Sequence, residues 1–218
     1  MPDELRLEVL DRDGAIRDAL EEASGSSRAT FLKTAVVAGG TFVAGGVLVG
    51  GLPKLSVGAP SAAQDAKILN FALTLEYLEA EFYTQAEANG RLRGETAQFA
   101  SVVGAHERAH VEFLQGALGS KAVKKPRFNF GDTVRNPQMF QKTALTLEDT
   151  GVAAYNGQAG NLTKETLAAA AMIVSVEARH AAWIRDILKT NPAPAAVDEG
   201  QSRQQILSAV NDTGFIQA

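Results

Sequence analysis

Thr74-Leu75-Glu76, Tyr83 and Glu107-Arg108-Ala109-His110 are followed, about seventy residues later, by Thr146-Leu147-Glu148, Tyr155 and Glu177-Ala178-Arg179-His180. Each half offers a lone glutamate, a tyrosine seven residues further on, and a Glu-x-x-His pair about thirty residues after the glutamate. A spacing of three puts Glu and His on one helical face, and a spacing of seven returns Tyr to the face of its glutamate after two turns. The chain has only three histidines, His106, His110 and His180, and two of them end such a pair. Two of its three tyrosines stand in the repeated place.

Four carboxylates and two imidazoles make up the ligand set of four-helix bundles that hold two metal ions. In these one glutamate comes from each of two helices and Glu-x-x-His from each of the other two. The candidate ligands are therefore Glu76, Glu107, His110, Glu148, Glu177 and His180. With no cysteine in the chain, disulfides, thiolate metal sites and cysteine nucleophiles are excluded. Carboxylate and imidazole donors suit two iron ions, with manganese as the alternative and zinc also compatible. The formal charge of −4 argues against nucleic acid as the main partner.

Helical patterning begins near Ala63. Helix A runs to about Ala88 and stops at Asn89-Gly90, and helix B covers about Glu95 to Leu118 before Gly119. Asn136-Pro137 starts helix C, which continues to about Ala159, and Thr163 caps helix D, which continues to about Thr190. Roughly seventeen residues, Gly119 to Arg135, separate the two hairpins. Extended, they reach about 55 Å against about 37 Å for a helix of this size, enough to cross the whole bundle. Helices B and C are then parallel, and the half-sites meet about a pseudo-twofold axis. A short helix at about Gly200 to Val210 closes the chain, within a segment 191–218 distinct from the bundle at 64–190.

Residues 1–63 read differently. Eight acidic and three basic residues occupy positions 1 to 27. Ser27-Arg28-Ala29-Thr30-Phe31-Leu32-Lys33 then resembles the twin-arginine export motif with its second arginine replaced by Ala29, and a glycine-rich apolar stretch, 34–52, leads to Ser61-Ala62-Ala63. Export to the periplasm, cell envelope or exterior is the expectation, with a membrane tether through 34–52 as the rival and a disordered, flexible leader as the third reading.

These residues resemble the ferritin-like superfamily of di-iron carboxylate proteins, which includes bacterioferritins and rubrerythrins, over about 64 to 190. With the leader, the chain looks like the secreted bacterial ferritin-like domain family related to desiccation-associated proteins. The resemblance implies an all-α bundle with a long B-C crossover, Glu107 and Glu177 bridging two metals, Glu76 and Glu148 as terminal carboxylates, and one histidine per metal. It favours Glu76 over its neighbours Glu79 and Glu81. Tyr83, Tyr155, Glu79 and Arg179 are expected around the ligands, the tyrosines as hydrogen-bond donors to ligand carboxylates and Arg179 as an ion-pair partner, with a plain surface arginine as its other reading.

Many relatives carry an aspartate directly before the Glu-x-x-His, bonded to a ligating histidine of the other half. Here those positions are His106 and Val176, so the usual partner is absent twice. His106 lies about 100° around its helix from Glu107, which predicts a surface or interface residue. The implied activity is that of a di-iron oxidoreductase, oxidising ferrous iron or reducing peroxide, with O2 or hydrogen peroxide as partner and no catalytic residue beyond the ligands. A structural metal bundle without turnover, and iron storage in a homo-oligomeric shell, are the alternatives.

Overall fold

In the computed structural model, residues 60–217 are described. The export motif, the 34–52 stretch and the acidic leader lie outside the described residues. Four long helices, α1 (Ala62–Asn89), α2 (Gly94–Leu118), α3 (Pro137–Gln158) and α4 (Lys164–Ile187), are followed by the shorter α5 (Arg203–Thr213). Their ends follow local chemistry. Ser61 accepts from the Gln64 amide to open α1, and Gly90, in the left-handed region at φ 59°, closes it. Asn136 accepts from the Met139 amide, with Pro137 in the first helical position of α3.

Helix α4 begins in a less local way. Thr163 stands at its N-cap, yet its side chain makes no capping bond. Asp65 of α1 does the work instead, accepting from the Thr163 amide at 3.0 Å, from the Thr163 hydroxyl, and from the Thr166 hydroxyl at 2.6 Å. A carboxylate from the first helix thus satisfies the N-terminus of the fourth. At the other end α4 stops at Ile187, short of the expected Thr190, because Lys189 turns left-handed at φ 57° and the Thr190 amide bonds back to the Arg185 carbonyl.

Helices α1 and α2 form one antiparallel hairpin and α3 and α4 the other. Contacts of Tyr83 with Glu148 and of Tyr155 with Glu76 make α1 and α3 antiparallel neighbours, and those of His106 with His180 and of Phe99 with Trp183 do the same for α2 and α4. Helices α2 and α3 are therefore parallel and diagonal, and the crossover must run the length of the bundle.

It does so along α1. The Asn70 side chain bonds the Lys121 carbonyl and the Val123 amide, the Tyr77 hydroxyl bonds the Val123 carbonyl, Lys125 pairs with Glu81, and Asn89 reaches the Val134 carbonyl. Between them Phe130 packs edge-on against Phe82, a core residue that also stacks on Phe140. A short antiparallel ribbon pairs β1 (Arg127–Phe128) in this crossover with β2 (Ile216–Gln217) at the tail. Ile206 and Val210 of α5 are buried in the same core as Phe82.

Candidate metal centre

The six ligand candidates converge in the middle of the bundle, where Glu107, Glu148 and Glu177 are fully buried and Glu76 nearly so. Donor atoms fall into two groups, within each of which all lie no more than 4.8 Å apart: Glu76, Glu107, His110 and Glu177, and Glu107, Glu148, Glu177 and His180. Glu107 and Glu177 belong to both, between the two groups.

Both imidazoles turn Nδ1 inward. His110 Nδ1 stands 3.3 Å from Glu76 Oε2, 3.2 Å from Glu107 Oε2 and 3.0 Å from Glu177 Oε1. His180 Nδ1 stands 3.0 Å from Glu107 Oε1 and 3.1 Å from Glu148 Oε2. An imidazole nitrogen carries at most one hydrogen, so five carboxylate oxygens cannot be satisfied by two ring nitrogens. The shortfall is visible: Glu76 Oε2, Glu107 Oε1 and both carboxylate oxygens of Glu177 are buried without a hydrogen-bond partner. Oxygen atoms converging on imidazole nitrogens, with too few hydrogens among them, fit a cation.

The tyrosines complete the outer ligands across the halves. Tyr155 donates to Glu76 Oε1 at 2.6 Å and Tyr83 donates to Glu148 Oε1. Burial, and then the adjoining carboxylates, push both phenols well above their ordinary pKa, so they remain donors. Burial and crowding by like charge likewise raise Glu107 and Glu177. His110 is lifted, against burial, to about 12 by Glu107, Glu177 and Glu76. Burial works against Glu76 too, but the His110 hydrogen bond outweighs it and holds that carboxyl low.

Glu79, one turn beyond Glu76, is a fifth buried acid. Burial first, then Glu177, Glu148, Glu107 and Glu76, raise its pKa well above the usual range. Its counterpart in the second half is Gly151, whose missing side chain leaves room: a Cβ there would lie 3.1 Å from Glu177 Oε2 and 3.5 Å from Glu79 Oε1.

Over the length of the bundle, residues 64–190, the chain matches the family described as the ferritin-like domain. The chain belongs to the ferritin-like domain family. None of the curated proteins matches it. The ferritin-like bundle accounts for the placement above: two hairpins related by a pseudo-twofold axis put each tyrosine against the other half's glutamate.

One expectation needs correction. Arg179 is exposed and makes no ion pair among the described residues; two residues past Glu177 it points about 200° away from that side chain. His106, expected at the surface or at an interface, has an exposed ring whose Nδ1 is 2.8 Å from His180 Nε2, with the two rings within 16° of parallel and meeting edge to edge, their centroids 5.1 Å apart. Sequence reasoning missed it because the contact lies across two helices. A third histidine directly before one Glu-x-x-His was the available signal.

Proposed function

We propose that this ferritin-like bundle holds two iron or manganese ions and uses them as an oxidoreductase centre, oxidising ferrous iron or reducing peroxide. The observation that carries the reading is the set of unpartnered buried oxygens around two inward-facing imidazole nitrogens. Four carboxylates buried without a cation cost several kcal/mol each in ordinary terms. Glu76, Glu107, His110 and Glu177 would hold one ion, and Glu107, Glu148, Glu177 and His180 the other.

Bound there, a pair of redox ions supplies two electrons, one from each, to O2 or hydrogen peroxide. The protein's own residues contribute order. Tyr83 and Tyr155 fix the outer glutamates, Glu107 and Glu177 belong to both donor groups, and Glu79 stands next to them as a further buried carboxyl. Phe82, Phe99 and Phe140, fully buried around Tyr83, exclude water from one end of the site.

The twin-arginine-like leader supports a place outside the cytoplasm, where such chemistry protects exported components from oxidants or free iron. The test is consumption of O2 or peroxide by anaerobically iron-loaded protein. Rates well above those of free ferrous ion support the reading. Rates equal to free iron, with metal bound, instead support a second reading that rests on the same unpartnered oxygens, in which the ions stabilise the fold without turnover.

A further inference from the structure

The two halves supply the same ligands but different surroundings for their histidines. Behind His180, on the side away from the carboxylates, stands His106, with its Nδ1 2.8 Å from His180 Nε2 and its ring parallel to within 16°. The position equivalent to His106 in the other half is Val176, which has no polar atom. Both places border one hollow of about 290 Å³ between α2 and α4, lined by Val102, His106, Ala109, His110, Val176 and Trp183 among others. His110 borders that hollow with its contacts to carboxylates all made through Nδ1, and no acceptor meets its Nε2 among the described residues.

A histidine that gives Nδ1 to a metal must carry its hydrogen on Nε2, and a fixed acceptor there sets the tautomer, holds the ring and raises its basicity. His106 Nδ1, 2.8 Å away, is such an acceptor in the tautomer that keeps the His106 hydrogen on Nε2. For His110 no such acceptor stands at Nε2 among the described residues.

Resting on the dinuclear reading above, we propose that the two metal positions are unequal: His106 is a positioning residue for His180, so the position built on His180, Glu148, Glu107 and Glu177 binds its ion more tightly and fills first. The position on His110 and Glu76 fills second.

The experiment is a titration of the metal-free full-length chain with cobalt(II), followed by its visible absorption and by calorimetry, in wild type, His106→Ala, His106→Asp and Val176→Asp. His106 is exposed, and circular dichroism establishes that each variant is folded. Wild type is expected to bind in two resolved steps. His106→Ala weakens the tighter step by about 10- to 100-fold and leaves the weaker one in place, which merges the two. His106→Asp restores an acceptor and the separation, and Val176→Asp tightens the weaker step.

A signature independent of affinity comes from the zinc-loaded protein. A slowly exchanging His180 Nε2 proton resonance is expected in wild type and absent in His106→Ala. Two steps unchanged by His106→Ala, or both weakened alike, overturn the inequality while leaving the dinuclear centre standing. No cobalt bound by wild type overturns the dinuclear reading itself, and this proposal with it.

Discussion

The Tyr155 hydroxyl donates to Glu76 Oε1 at 2.6 Å, joining residues 79 positions apart, and Tyr83 repeats the contact toward Glu148. Each half of the chain therefore steadies the outer carboxylate of the other, and neither half-site is complete within its own hairpin.

Removing one of these hydroxyls tests that interdependence. Tyr155→Phe leaves a buried carboxylate oxygen without its donor, with an expected loss of about 1–3 kcal/mol in the metal-free protein. Metal affinity at the position containing Glu76 should fall about tenfold or more. Thermal unfolding with and without metal measures both; an unchanged midpoint and affinity would mean that the contact has no energetic role.

The metal-free bundle should lose stability as pH rises above about 4.5. Glu79, Glu107 and Glu177 keep protons that the unfolded chain gives up above 4.5. His110 keeps one, to about 12, that the unfolded chain gives up above 6.5. The native state then binds more protons than the unfolded state, which makes the slope of stability against pH negative. Glu76, held low, is ionised in both states over this range and adds no slope. Glu79→Gln should flatten the fall, and bound metal should reverse it, because ligand protons compete with the ions. Denaturant midpoints across the range provide the check, and a rising midpoint in the metal-free protein contradicts the assignment.

Gly151→Ala places a methyl group 3.1 Å from Glu177 Oε2. The bundle should still fold, at a cost of about 1–3 kcal/mol from overpacking. The displaced Glu177 carboxylate should weaken both metal positions together, since it belongs to both donor groups. Weakening of one position alone would contradict the shared placement of Glu177.

Asp65→Ala removes the acceptor for one amide and two hydroxyls at the start of α4. Burial opposes ionisation of Asp65, but the bonds from Thr163 and Thr166 outweigh it and hold its pKa below 3.8. Its contribution is thus present above pH 3.8 and disappears as pH falls through the lowered value. A loss of about 1–3 kcal/mol at neutral pH, shrinking in acid, is expected from denaturation curves.

How much of this could be read before the fold was seen depends on whether the signal is local. Glu107 with His110 and Glu177 with His180 were legible because a helix fixes the faces of residues three apart, and Asn89-Gly90 and Asn136-Pro137 marked helix ends through their own backbone chemistry. The length of the crossover gave the topology, since only a long connection leaves α2 and α3 parallel. Asp65 was not legible as the cap of α4, because it acts on Thr163 across 98 positions while Thr163 itself offered a plausible local cap. His106 was missed for a related reason: its angle on α2 points to solvent, and only the antiparallel packing of α4 brings His180 to it. The ribbon between Phe128 and Ile216 is equally non-local, two residues per strand with no alternating pattern to announce them.

The most direct measurement is the metal content of the purified full-length chain by elemental mass spectrometry, beside a variant combining Glu107→Ala and His110→Ala. The account predicts about two iron or manganese ions per chain, lost in the variant. No stoichiometric metal in wild type, even after anaerobic ferrous loading, would contradict it.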